Sequence, residues 1–446
     1  MFKAIEIQRL FDRHSVVLHP VLSITMLLLN QVKHKFSNRF IQNVGWLGIA
    51  EVLNRILGLG TTVLLSRALS FEDYGLLAIV LTMQEFGSIF TAKAGMGAKL
   101  VQASEENLDT LCETVYWISC ITSVVICLLQ CFMAFPIAWF YHDSRVIAPL
   151  CLLAVTHLGI SFMAVPGALL ERAGRLNVFA ICQVVRSLLA NGLTVLSISL
   201  GWGLWGIIFA NAFSVLPWII IPGIANPWKP KTFLQFDRWQ EVTLFAGNII
   251  GAELLAKLRD NLDYLLVGRF LGIEALGIYY FAFNAGLGIS LSIINTLATS
   301  IWPYLCETRS NLTMLKKRYR TGLKTIAVSI FPLVILQVCL APWYVPIVFG
   351  EHRRVAIPVL MVICLSAIPR PFFLATSQLL NALDKTKVNL LWSVLFTVVY
   401  GFSLFVGVQF GVLSVAVAVL ISQFLITPFF VFWVNRRVFQ PVTAQE

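Results

Sequence analysis

The chain has 446 residues, 58% of them hydrophobic and only 12% charged, with a net charge of +11 and a mean hydropathy of +0.82. Apolar runs of about twenty residues recur from end to end, which excludes a soluble globular enzyme and marks a polytopic membrane protein. The basic excess then reflects topology and contact with anionic headgroups rather than nucleic-acid binding.

Residues 15–30 are apolar but short and are interrupted by His19 and Pro20, so 1–40 is expected to be a peripheral or disordered extension. Twelve spans follow, at 41–66, 73–95, 114–140, 146–170, 176–199, 202–224, 242–267, 275–304, 322–349, 355–381, 388–409 and 412–435. They predict an all-α membrane fold: an N-lobe over 41–224, a linker over 225–241, a C-lobe over 242–437 and a short tail over 438–446. With the N-terminus inside, 22 of the 33 Lys and Arg fall in the tails and inner loops, and five (Arg67, Arg145, Arg269, Arg353, Arg354) fall in the outer loops. This bias puts both termini in the cytoplasm of a plasma (inner) membrane. The nine cysteines are scattered along the spans without a Cys-x-x-Cys pair and read as small core residues.

An internal repeat divides the chain. At an offset of 202, residues 45–76 align without a gap on 247–278. The identities include Glu51/Glu253, Arg67/Arg269, Glu72/Glu274 and Gly75/Gly277, and Arg55 pairs with Lys257. LLERAGRLNV after the fourth span echoes LLNALDKTKVN after the tenth. Two six-span halves related by a pseudo-twofold axis place a transporter's site at their interface.

The seventh span concentrates charge. Glu253, Lys257, Arg259, Asp260 and Asp263 fall within an arc of roughly 160° on a helix, opposite six leucines. A charge near the bilayer centre costs about 2.5–3.5 kcal/mol and a leucine returns about 0.3–0.6, so this face must meet protein or water. The i,i+4 spacings Glu253–Lys257, Arg259–Asp263 and Glu51–Arg55 allow neutralisation within each helix. Structural ion pairs and a hydrated cavity between halves are both compatible with single residues; recurrence in both halves favours the cavity for the set. Arg186, beside Gln183 and Asn191, is a further cavity candidate, and Glu85, beside Gln84, a coupling candidate. Lys93 suits snorkelling, His157 a satisfied core position, and Arg370 a proline break between Pro369 and Pro371. Pro136, Pro166, Pro332 and Pro342 are expected at bends.

The stretches LLSRALSFEDYGLLAIVLTMQEFGSIFTAKAGMGAKLVQ, DNLDYLLVGRFLGIEALGIYYFAF, IWPYLCE, FGEHRRVAIPVL and LLNALDKTKVNLL, in this order, resemble the signatures of the polysaccharide-transport, Wzx-type flippases of the MOP exporter superfamily. The resemblance runs from about 41 to 437. It implies a V of two six-helix lobes that carries an undecaprenyl-diphosphate-linked oligosaccharide from the cytoplasmic to the periplasmic leaflet, with no enzymatic activity. The diphosphate would meet Arg55, Lys257 and Arg259, with Arg186 behind them. Glu51, Glu253, Asp260, Asp263 and Glu85 are the candidates for coupling to a proton or sodium gradient, with no metal or other cofactor. The alternatives are a MATE-like drug or cation antiporter, against which the basic cavity residues weigh, and a membrane polysaccharide polymerase, for which the outer loops are short.

Overall fold

The computed structural model describes residues 53–439 apart from 56, 92–95, 232–233, 235 and 310, and every regular element in them is helical. Helix α1 covers 57–68, followed by α2 (Phe71–Thr91), α3 (Met96–Gln102) and α4 (Glu105–Tyr141). Helices α5 (Ile147–Ile160) and α6 (Ala164–Arg172) form one broken span, α7 is Leu176–Ser199, and α8 (Gly203–Phe213) and α9 (Leu216–Ala225) form another. The second half repeats the plan with α10 (Trp239–Phe270), α11 (Ile273–Cys306), α12 (Leu312–Tyr344), α13 (Ile357–Ser366), α14 (Arg370–Ala382), α15 (Thr386–Gly407) and α16 (Val412–Phe439).

Eight of these spans cross a membrane by length and hydropathy alone. Helices α10 and α11 have 32 and 34 residues and are long enough to cross as well, but α10 carries the charged face that lowers its hydropathy. The expected extension over 1–40, the tail beyond 439, Glu51 and Lys93 lie outside the described residues.

Connections alternate between two ends. One, here the distal end, carries 69–70, 142–146, 200–202, 271–272, 350–356 and 408–411; the proximal end carries 173–175, 226–238, 307–311 and 383–385. The broken spans interrupt at 161–163, 214–215 and 367–369, just ahead of or at Pro166, Pro217 and Pro369. Pro136 and Pro332 instead sit inside uninterrupted helices, and Pro342 is followed by a π-helical turn at Val345–Phe349. A proline ends a helix only where the freed carbonyl finds no other donor, so its position in the sequence does not by itself locate the bend.

The halves meet along α2 and α11, the most extensive helix pair among the described residues. Two glycines from the repeat make this crossing possible. A Cβ on Gly75 would collide with the Ile273 carbonyl, and one on Gly277 with the Phe71 carbonyl. Since 71 and 75 map onto 273 and 277 under the offset of 202, the pseudo-twofold axis passes through this contact. Only a residue without a side chain lets backbones approach so closely. Gly277→Ala is therefore expected to lower the melting temperature in detergent by several degrees, from an overpacking cost of about 1–3 kcal/mol. Gly288→Ala, with no atom within 4 Å of the added carbon, should leave it unchanged.

The main core runs through both halves, joining Leu76, Ile79 and Tyr74 to Tyr279, Phe281 and Leu360. A second cluster holds the proximal end: Leu100, Leu111, Val115 and Val165 pack on Val242 and Ala246 from α10. Helix α10 thus begins against the N-terminal half and ends, through Tyr264 and Val267, in the main core. The connecting segment is fastened to α4, where Glu113 accepts from the Lys231 amide at 2.7 Å and Thr114 donates to the Asp237 carbonyl at 2.7 Å. Arg172 donates to the carbonyls of Leu100 and Ala103 and pairs with Glu105 at 2.6 Å, which caps the short α3.

Candidate functional site

A cavity of about 450 Å³ opens between α2 and the second half. From α2 it takes Leu81, Thr82 and Glu85; α10 supplies Lys257, Arg259, Asp260, Asn261 and Tyr264, and α14 supplies Arg370. The rest of the lining is aromatic and amide-bearing, with Tyr280, Phe283 and Asn284 from α11, Phe373 from α14, Phe396 from α15 and Gln423 from α16.

The charged face of α10 explains itself here. Its lower leucines, Leu254, Leu255 and Leu258, are exposed on the membrane side, while Asn261 and Asp263 are buried. Lys257 pairs across the halves with Glu85 at 2.6 Å, not with Glu253 one turn below. Arg259 lies 3.2 Å from Asp260, and Asp263 accepts instead from the Tyr279 hydroxyl at 2.8 Å and the Tyr264 amide at 3.0 Å. The i,i+4 pairing expected from spacing is thus replaced by tertiary partners for Lys257 and Asp263, Glu85 and Tyr279, and by the neighbouring Asp260 for Arg259. The Lys257 and Glu85 side chains are 43% and 51% exposed, so their bond is worth no more than about 1 kcal/mol. An incoming anion can displace Glu85 at small cost.

The other sequence candidates fall elsewhere. Arg186 shares the inward arc of α7 with Cys182, Ser187 and Thr194 yet is exposed, and it does not line this cavity. Arg55 is also exposed, in the helical residues 53–55 ahead of α1. Around them runs a polar seam between α7 and the first span, in which Ser187 bonds Asn54 at 2.6 Å and Thr61 bonds Asn191 at 2.6 Å. Glu253 is half-buried outside the cavity. His157 is fully buried and bonded to Gln130 at 2.9 Å, and Gln130 also bonds Gln84. Arg370, which the flanking prolines place at a helix break, sets its guanidinium 5.8 Å over the Phe283 ring at the cavity wall.

Above the cavity the distal end is closed by cations from each half that cap carbonyls of the other. Arg67 donates to the carbonyls of Val348 (3.1 Å) and Ile347 (2.7 Å). Its repeat partner Arg269 reaches in the opposite direction, to His142 at 2.7 Å and over Phe140 at 5.3 Å. At the centre Arg353 is fully buried, donates to the carbonyls of Ser66 (2.9 Å) and Leu69 (2.6 Å), and stacks within 4.3–5.0 Å of the Phe71, Tyr74 and Phe281 rings. It has no carboxylate partner among the described residues. Arg145 occupies the matching place in the first half but is 54% exposed and paired with Glu72 and Asp143. Spacing in the sequence put Arg353 in an outer loop; nothing in that reading distinguished a buried clamp from a surface charge. Its one signal was the FGEHRR stretch itself.

Comparison with known proteins agrees with this architecture. The family model described as "Polysaccharide biosynthesis protein" matches residues 64–358. The teichuronic acid biosynthesis protein TuaB of Bacillus subtilis is 25% identical over 326 residues, 71% of this chain and 66% of that one. The lipopolysaccharide biosynthesis protein WzxC of Escherichia coli is 23% identical over 405 residues, 87% of this chain and 79% of that one. Among solved structures, the lipid II flippase MurJ in an inward closed conformation superposes with a TM-score of 0.74 at 16% identity over 87% of each chain. An inward-facing MATE multidrug transporter of the MOP superfamily gives 0.73 at 15% identity, over 86% of this chain and 94% of that one. A chain of two pseudo-symmetric helical halves, with a charged cavity between them and a family match over residues 64–358, belongs to the polysaccharide biosynthesis protein family and shares the fold of these solved structures.

Proposed function

We propose that this chain is a flippase for an undecaprenyl-diphosphate-linked oligosaccharide in the inner membrane, with its proximal end and both termini in the cytoplasm. The observation that carries the reading is the cavity wall, whose described lining sets Lys257, Arg259 and Arg370 beside two carboxylates, Glu85 and Asp260. A diphosphate suits such a wall, because charge-assisted bonds from Lys and Arg are strong and the Lys257–Glu85 pair is already half in water. The aromatic and amide residues of the lining offer ring faces and acceptors to a sugar, and the lipid tail stays in the bilayer.

In this mechanism the head enters from the proximal side while Arg353 and the Gly75/Gly277 crossing hold the distal end shut. Diphosphate takes Lys257 from Glu85, which removes a bond between the halves and lowers the barrier to rocking. Arg186 and Arg55 meet the head as it enters. Asp263 couples transport to a proton or sodium gradient: its carboxylate is buried beside the cavity and held by only two hydrogen bonds. Asp263→Asn is expected to preserve substrate binding while removing the response of transport to an imposed gradient; an unchanged response in vesicles would reassign coupling.

Binding of a short-chain prenyl diphosphate to purified protein tests the substrate reading. Micromolar binding, weakened at least about tenfold by Lys257→Ala, is the expected result. Binding of organic cations with no binding of the diphosphate would place the chain with the drug antiporters.

A further inference from the structure

The two halves differ most at the proximal end. In the second half, 307–324, 384–387 and 436–437 carry ten Lys and Arg against two acidic residues. In the first half, 99–113, 171–175 and 229–241 carry six against seven. Residues 1–40 add six Lys and Arg against two acidic residues to the first half, which then carries twelve against nine, so the larger excess still falls on the second half.

The excess forms one surface. The start of α12 touches the end of α16, with Lys316 5.9 Å over the Phe439 ring and Tyr319 6.0 Å from it. Arg309 lies 3.7 Å from Asp384 in the turn before α15. On α12, Lys317, Arg320 and Lys324 are exposed along one stripe. Lys385, Lys387, Arg436 and Arg437 are exposed beside it. The carboxylates at this rim are engaged elsewhere, Glu307 by Arg318 at 2.8 Å and Asp384 by Arg309. Neither neutralises the stripe.

Ring contacts fix the depth of this surface. Arg437 lies 5.2 Å over Trp433 and Arg318 4.6 Å over Tyr304, so aromatic side chains sit just beneath the cations, as they do at a headgroup boundary. The continuous helix from Leu312 to Phe349 has 38 residues. That is about 57 Å, well beyond a hydrocarbon core of about 30 Å, so its first turns stand among the headgroups.

We infer that the proximal rim of the second half is a binding surface for the phosphate headgroups of anionic phospholipids, with Lys317, Arg320 and Lys324 as its centre. Clusters of this size next to a membrane span bind anionic lipid. The surface holds the second half to the leaflet and leaves the less basic first half free to rock against it. This inference is independent of which substrate the cavity carries.

Native mass spectrometry of the full-length protein in detergent, titrated with phosphatidylglycerol or phosphatidylcholine, tests it without any transport step. The wild type is expected to retain phosphatidylglycerol preferentially. The triple variant K317Q/R320Q/K324Q should lose that preference roughly tenfold, with phosphatidylcholine unaffected. K385Q/K387Q, in an exposed turn, should weaken it partially and serves if the triple variant folds poorly; R175Q/K229Q/K231Q in the first half should not weaken it. Equal retention of the two lipids by the wild type, or a K317Q/R320Q/K324Q or K385Q/K387Q variant that binds phosphatidylglycerol as the wild type does, would overturn the inference. Retention of a prenyl diphosphate at this rim with no retention of phosphatidylglycerol would also overturn it, in favour of substrate capture.

Discussion

Arg353→Ala is expected to open the distal end. Its guanidinium satisfies the carbonyls of Ser66 and Leu69 inside a box of three aromatic rings. Truncation leaves the Leu69 carbonyl without the Arg353 donor, at about 1–3 kcal/mol, leaves the Ser66 carbonyl to His352 alone at 3.0 Å, and opens a void where the side chain stood. A loss of about 3 kcal/mol or more would shift a closed population of 99% to a minority. Spin labels on Trp202→Cys and Phe410→Cys, exposed at the distal end of the two halves, report the change in a background lacking the native cysteines. The distance distribution should move to longer values in Arg353→Ala. Arg353→Lys should give an intermediate result, because an ammonium keeps the charge but cannot bond two carbonyls and stack at once. An unchanged distribution in Arg353→Ala would show that the glycine crossing closes the distal end without it.

Replacing both Lys257 and Arg259 with Ala should reduce glycolipid translocation by at least about a hundredfold. Two charge-assisted bonds of about 1.5–3 kcal/mol each are lost from the head, and the energies convert directly into occupancy. Stability should hardly change, because the pairs removed are partly hydrated and each worth under about 1 kcal/mol. Folding is checked by size-exclusion profile and melting temperature, and function by leaflet exposure in the same preparation. Folded protein with wild-type translocation would remove these residues from the site. Lys257→Arg, which keeps the charge and can still reach Glu85, should retain most activity.

The order of the helices was legible from hydropathy, since burial in lipid writes itself into composition. The repeat was legible too, yet only as identity. That Gly75 and Gly277 face each other's carbonyl neighbourhoods across a twofold axis depends on the crossing of α2 and α11, which no pattern within either helix encodes. The charged face of α10 was evident from periodicity, whereas its partners were not: i,i+4 spacing pointed to Glu253, and the structure supplied Glu85 from a helix 172 residues away. Arg370 and Arg353 illustrate the same limit. One was read through its prolines and the other through its loop, and both acquire their character from aromatic rings brought in by α2 and α11.

Leaflet exposure of a fluorescent undecaprenyl-diphosphate oligosaccharide in proteoliposomes, with and without a proton or sodium gradient, tests the central claim most directly. The account predicts protein-dependent translocation that responds to one of the gradients and is lost in the Lys257→Ala/Arg259→Ala protein. Vesicles that retain the glycolipid in its original leaflet under every gradient while exporting organic cations would contradict it.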